Sequence, residues 1–184
     1  MKTKFYVMHY KQAPERKDIL QPKLEELGID VEWYTDYDQE DLTEEVIEEL
    51  YSEDLELFRH RMNGWKTEED YRNYKGITKS HLSLVIKFIK CIEIMAESDY
   101  DNVVFFEDDV IFDDGRYGFI PATKDLIFEY INMAEEIGWD VLFFGGAFDH
   151  GLINNKIKGR YKNLLEADHP STNTTASFAM TKEA

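Results

Sequence analysis

Asn102-Val103-Val104-Phe105-Phe106-Glu107-Asp108-Asp109-Val110-Ile111-Phe112 (NVVFFEDDVIF) runs four consecutive apolar residues into three consecutive carboxylates. Val103–Phe106 shows no polar alternation, the pattern of a central strand covered on both faces. In open α/β sheets the ligand site lies at the carboxyl ends of such strands. Acidic triplets are cheap in an acidic chain, so the position of this one carries the argument. Three carboxylates there repel one another and lose solvation unless a cation offsets their charge. Strand periodicity predicts Glu107 and Asp109 on one face and Asp108 opposite. Two oxygen donors on one face suit Mg²⁺ or Mn²⁺, hard ions that complete their shell with water and substrate phosphates. The competing readings are a solvated strand end or an N-terminal helix charge.

Outward from this stretch, strands and helices alternate. Upstream, Phe5–Tyr10 reads as a strand. Glu15–Leu27 reads as a helix with Ile19, Leu20, Leu24 and Leu27 at helical spacing, Pro22 inside it and Gly28 as its stop. Asp30–Tyr34 is a second strand, and Leu42–Arg61 a Glu-rich helix with Val46, Ile47, Leu50, Leu55 and Phe58 inward. Asn63–Lys75 reads as an exposed loop. Thr78–Glu97 is the strongest helix, with Ser80 as N-cap and Leu82, Val85, Ile86, Ile89, Ile92 and Met95 as its buried stripe. Downstream, Thr123–Ile137 is helical, Trp139–Phe144 is a strand running into Gly145-Gly146, and Thr174–Met180 is a last strand. Thr181–Ala184 reads as a first helical turn, which predicts that the domain continues past Ala184. The expectation is one α/β domain over residues 1–184, truncated at its C-terminal end, with a central, mostly parallel sheet flanked by helices.

With 184 residues, 43% hydrophobic and 14% aromatic, the chain has the profile of a single globular domain. Its net charge of -17 repels nucleic acid and anionic membrane surfaces, so neither is an expected partner. An acidic protein that handles a phosphorylated substrate must solve that repulsion locally, and a bound divalent cation does so. The single cysteine, Cys91, excludes an internal disulfide framework. No signal peptide or membrane-length apolar segment is read, so the expected compartment is the cytoplasm. The sequon at Asn173 therefore carries no weight. The histidines never pair at helical spacing for zinc. GxGxxG, P-loop and GxSxG patterns are absent.

Glu15-Arg16 after the first strand, Gly76-Ile77-Thr78-Lys79-Ser80-His81 opening a helix, Val104–Val110 (VFFEDDV) and Trp139–Gly145 (WDVLFFG) occur in that order along nearly the whole chain. In this combination the sequence resembles glycosyltransferase family 25, which includes lipopolysaccharide sugar transferases and collagen galactosyltransferase-like enzymes. The resemblance implies a GT-A-like nucleotide-binding fold with a DxD-type metal motif, here opening on Glu107 in place of Asp. It also implies an inverting hexosyltransferase that uses a nucleotide sugar, a UDP-sugar by family, and a glycan or glycoprotein acceptor. On that placement Asp109 holds Mn²⁺ or Mg²⁺, with Glu107 or Asp108 assisting. His9 and Tyr10 line the nucleotide pocket, Arg16 reaches a phosphate or the base, Asp36 accepts from ribose or uracil, and Lys79 and Ser80 open a helix whose amides favour an anion. Asp149 is the candidate catalytic base, with Glu166 and Asp168 as rivals and His169 a further candidate ligand. A nucleotidyltransferase is the alternative within this broad fold, although His9–Glu15 lacks the glycine-rich phosphate loop expected of one. A non-catalytic sugar-nucleotide-binding module is the alternative from another class.

Overall fold

Along the chain come β1 (Thr3–Met8), α1 (Pro14–Glu26), β2 (Glu32–Tyr34), α2 (Glu44–Leu50), α3 (Lys79–Glu97), β3 (Asn102–Glu107), α4 (Lys124–Glu135), β4 (Val141–Gly145), β5 (Ile157–Tyr161), β6 (Leu164–Ala167) and β7 (Ser177–Thr181). The computed structural model describes residues 1–50, 67, 78–112, 123–145, 157–162, 164–167 and 177–183. Two compact units result, Met1–Tyr34 with Cys91–Ala184 and Thr35–Lys90.

The first unit is built on a sheet ordered β2-β1-β3-β7-β4. β1 pairs in parallel with β2 and with β3, while β7 runs antiparallel to both β3 and β4. Four strands therefore share a direction and β7 is reversed between two of them, so the expected mostly parallel α/β sheet of GT-A-like type is present. Alternation along β1 and β3 sorts the core into two faces. Phe5, Val7, Val104, Phe106 and Ala179 meet Leu20 and Leu24 of α1 and Ile127 and Ile131 of α4. On the other face Tyr6 stacks on Phe105, and Phe105 meets Phe178 at a tilt of 39°. Val103, Val104 and Phe105 are 0% exposed and Phe106 is 1% exposed, as a run without polar alternation requires.

Local chemistry sets the ends of the helices. Pro14 sits in the first turn of α1, where its missing N–H costs nothing. The helix passes through Pro22 to Glu26 and stops at Gly28, whose φ of 66° is in the left-handed region. Ile19, expected inside, is exposed, and Leu20 and Leu24 carry the buried face. Thr123 caps α4 by accepting from the Leu126 amide at 3.1 Å. The strand expected over Thr174–Met180 is β7, but Thr181 ends that strand and Lys182 and Glu183 form a turn, not a helical start.

In the second unit Leu42, Leu82 and Ile86 form a small core with Tyr37, Val46, Ile47 and Leu50 packed on it. Thr78, not Ser80, caps α3: its carbonyl accepts from the Leu82 amide at 2.9 Å and its Oγ1 from the His81 amide at 3.3 Å. The buried stripe of α3 also differs from expectation, because Val85 and Ile89 are exposed while Ser83 and Lys87 are buried. Each of those two polar side chains has a partner. Ser83 Oγ donates to the Tyr37 carbonyl at 2.6 Å, and the Lys87 ammonium is paired with the Asp38 carboxylate. Leu55, Phe58 and most of the expected loop Asn63–Lys75 lie outside the described residues; Thr67, which is described, is exposed.

Candidate functional site

The register of the sheet builds the site. Met8, the last residue of β1, lies beside Glu107, the last residue of β3. The next residues of the two parallel strands, His9 and Asp108, therefore leave the sheet side by side. β3 does not continue through the acidic triplet: the Val110 amide donates to the Glu107 carbonyl at 3.1 Å, closing a turn with Asp108 and Asp109 at its centre. Strand alternation thus ends at Glu107, and the turn decides where the next two carboxylates go. Asp108 turns inward and its side chain is 6% exposed; Asp109 turns outward and its side chain is 58% exposed. Glu107 is intermediate in burial.

Both oxygens of Asp108 are engaged. Oδ2 accepts from the Tyr10 amide at 3.0 Å and lies 2.9 Å from Nδ1 of His9. Oδ1 accepts from Nη1 of Arg16 at 2.7 Å. An ionised carboxylate can only accept, so the proton shared with His9 resides on Nδ1. These bonds tie the β1–α1 turn to the end of β3. That turn is also shaped by the Ala13 amide, which donates to the Tyr10 carbonyl at 2.9 Å. Arg16 follows in the first turn of α1, and its Nη1 also approaches Oδ2 of Asp109 at 3.6 Å. The hydrogen bond to Asp108 comes first among the causes that hold the Arg16 guanidinium above its already high ordinary pKa. Charge-assisted hydrogen bonds of this kind contribute about 1.5–3 kcal/mol each.

His9 is buried, with its ring edge-on to Trp33 at 5.4 Å between centroids. Trp33 on β2 is held from two further directions: its Nε1 donates to Gln21 Oε1 at 2.7 Å, and the Lys17 ammonium lies 4.9 Å from its ring centre. Sequence reasoning singled out neither Trp33 nor Lys17 for this place. The parallel pairing of Val7 with Trp33 is the only signal that would have brought β2 there, and pairing is not visible in composition.

Of the residues named from sequence, His9, Tyr10, Arg16, Asp108 and Asp109 are brought together, with Glu107 at the adjoining strand end. Asp36, Lys79 and Ser80 belong to the second unit, where all three are exposed. Lys79 Nζ there donates to the Leu42 carbonyl at 2.9 Å, and Ser80 Oγ lies 2.8 Å from Thr78 Oγ1. Asp149, Asp168 and His169 lie outside the described residues, and of Glu166 only the backbone, in β6, is described. Among the described residues no three His, Cys, Asp or Glu side chains form a group able to hold a metal ion by themselves. No helix among them is long and apolar enough to cross a membrane.

Comparison with known proteins agrees with this architecture. A family model described as glycosyltransferase family 25 (LPS biosynthesis protein) matches residues 2–140, which include both strand ends and Arg16. A curated relative from Aedes aegypti, named a glycosyltransferase 25 family member, is 22% identical over 141 residues, covering 76% of this chain and 20% of the relative. The chain thus spans about a fifth of that relative's length. With three quarters of its residues, including the whole acidic turn, inside the family match, the chain belongs to glycosyltransferase family 25.

Proposed function

We propose that this chain is a sugar-transfer domain that takes a nucleotide-sugar donor, a UDP-sugar, and passes the sugar with inversion to a glycan or protein-linked acceptor, using Mn²⁺ or Mg²⁺. The observation that carries the reading is the Glu107–Val110 turn at the carboxyl end of β3 in a family 25 chain, with Asp109 turned to solvent beside the Arg16 guanidinium. Mg²⁺-type sites use one or two carboxylates, with water and substrate phosphates completing the shell. Glu107 and Asp109 provide two carboxylates on one turn, a donor set that fits a cation arriving with its substrate. When bound, such a cation neutralises the charge that grows on the departing diphosphate.

The chain's own groups have separate tasks in this scheme. Arg16 presents its guanidinium to a phosphate of the donor, a planar fork suited to that anion. Tyr10 and the β1–α1 turn border the nucleotide, and His9 supports the turn from beneath. Asp149 is the proposed base. As the acceptor oxygen bonds to the anomeric carbon and the bond from that carbon to the diphosphate oxygen breaks, the hydroxyl proton passes to its carboxylate. Asp36, Lys79 and Ser80 are further candidate donor contacts, and alanine substitution of each, read by uridine diphosphate affinity, tests them one by one.

The test is release of uridine diphosphate from UDP-sugars, with and without Mn²⁺, by the chain and by its Asp109→Asn variant. Mn²⁺-dependent release that falls by about a hundredfold or more in the variant supports the proposal. Donor binding without turnover would assign the chain to a non-catalytic sugar-nucleotide module. Neither binding nor turnover with any UDP-sugar would end the reading.

A further inference from the structure

We propose that Asp108 is a positioning residue and not a ligand of the cation: it fastens the β1–α1 turn to the end of β3 and aims the Arg16 guanidinium at the donor phosphates. This rests on the reading above, that the site takes a nucleoside diphosphate donor. It divides the acidic triplet by task, leaving cation binding to Asp109 with Glu107.

The division follows from how the three carboxylates are placed. Asp108 is 6% exposed, and its two oxygens face three donors: the Tyr10 amide at 3.0 Å, His9 Nδ1 at 2.9 Å and Arg16 Nη1 at 2.7 Å. A divalent cation binds carboxylate oxygen at about 2.0–2.2 Å and would have to displace at least one of these donors, of which His9 is buried and Tyr10 partly so. Displacement would break the bond from the Tyr10 amide or the His9 ring to this carboxylate, a cost the outward-facing Asp109 does not incur. Asp109, 58% exposed, meets the same guanidinium only at 3.6 Å. Arg16 is therefore anchored through Nη1 by a buried carboxylate that the Tyr10 amide and the His9 ring also hold. An arginine carries five N–H donors in a rigid fork. Anchoring Nη1 fixes the plane of that fork, and the side chain is 44% exposed, within reach of an incoming anion. Without Asp108 a flexible arginine would have to be ordered at each binding event.

The experiment measures affinity for uridine diphosphate by calorimetry, with Mn²⁺ and in chelator, for the wild type and for the Asp108→Asn, Arg16→Gln, Asp109→Asn and Asp108→Asn/Arg16→Gln variants. Far-ultraviolet circular dichroism confirms that each variant is folded. Asp108→Asn and Arg16→Gln are each expected to weaken binding about tenfold, by the same factor with and without Mn²⁺, so that the Mn²⁺ enhancement is kept. Asp109→Asn is expected to abolish the enhancement while keeping the chelator affinity. The double variant should be no weaker than Arg16→Gln, because the two residues act as one unit. Loss of the Mn²⁺ enhancement in Asp108→Asn would make Asp108 a ligand and overturn the proposal. Should Asp108→Asn fail to fold, Arg16→Gln alone decides: unchanged affinity in chelator overturns the proposal. A wild-type chain that binds no uridine diphosphate under either condition would instead refute the donor reading, and this inference with it.

Discussion

Replacing Lys87 by methionine should destabilise the protein far more than loss of a lysine normally does. Lys87 lies on α3 with its ammonium against the Asp38 carboxylate, and the two side chains are 4% and 3% exposed. Methionine is an unbranched side chain of similar length, so packing is nearly kept and the change is electrostatic. Asp38 then remains as a buried carboxylate without its cation, a state that costs about 3–5 kcal/mol. For a chain of this length each kcal/mol lowers the melting temperature by about 2–4 °C, so a fall of roughly 6–20 °C is expected. The pair also holds the turn after β2, where the Asp41 amide donates to the Asp38 carbonyl at 2.8 Å and Tyr37 sits at a φ of 59°, costly for a bulky residue. Asp36, a candidate donor contact, lies within two residues of both. The double variant Asp38→Leu/Lys87→Met removes both charges and should return to within about 1–2 kcal/mol of wild type, because well-packed apolar residues replace buried ion pairs at little cost. Urea and thermal unfolding followed by circular dichroism measure all three proteins. A single variant that loses less than about 1 kcal/mol, or a double variant no better than the single, would refute the claim that loss of the Lys87 cation beside a buried carboxylate sets the cost.

Three further outcomes follow from the first unit. Asn102 is 0% exposed and neither of its side-chain polar atoms has a hydrogen-bond partner among the described residues, so Asn102→Leu is expected to raise stability by about 1 kcal/mol or more, and a lower urea midpoint would contradict this. Burial, with Glu32 assisting, pushes the Tyr6 phenol up from 10.0 to about 12. Between these values the unfolded chain releases a proton that the fold retains, so this contribution is complete below pH 10 and is lost as pH rises toward 12. Alkaline urea midpoints should fall less steeply in Tyr6→Phe than in wild type, and identical slopes would exclude Tyr6 as a source. Thr123→Ala removes the acceptor for the Leu126 amide and should cost about 1 kcal/mol by thermal unfolding, while Thr123→Ser should cost little.

What could be read from sequence, and what could not, divides by the distance over which the information acts. β1, α1, α3, β3, α4 and β4 declare themselves through neighbours in the chain: the apolar run Val103–Phe106, the spacing of Leu20 and Leu24, the stop at Gly28. Ser83 and Lys87 misled the reading of α3 because partners more than forty residues away, Tyr37 and Asp38, make their burial tolerable. Helical periodicity therefore gave that face to Val85 and Ile89, which are exposed. β7 was legible as a strand, but its reversed place between β3 and β4 depends on pairing, which no window of residues contains. The acidic triplet shows the same limit at the site. Its place at the carboxyl end of β3 was legible, yet strand alternation was carried two residues beyond Glu107, where the turn to Val110 had already replaced it. The separation of Asp108 from Asp109 came out in the expected sense for a different reason. Asp108 faces inward because parallel register delivers His9, Tyr10 and Arg16 to its two oxygens, and only the paired strands reveal that the middle carboxylate was occupied from within.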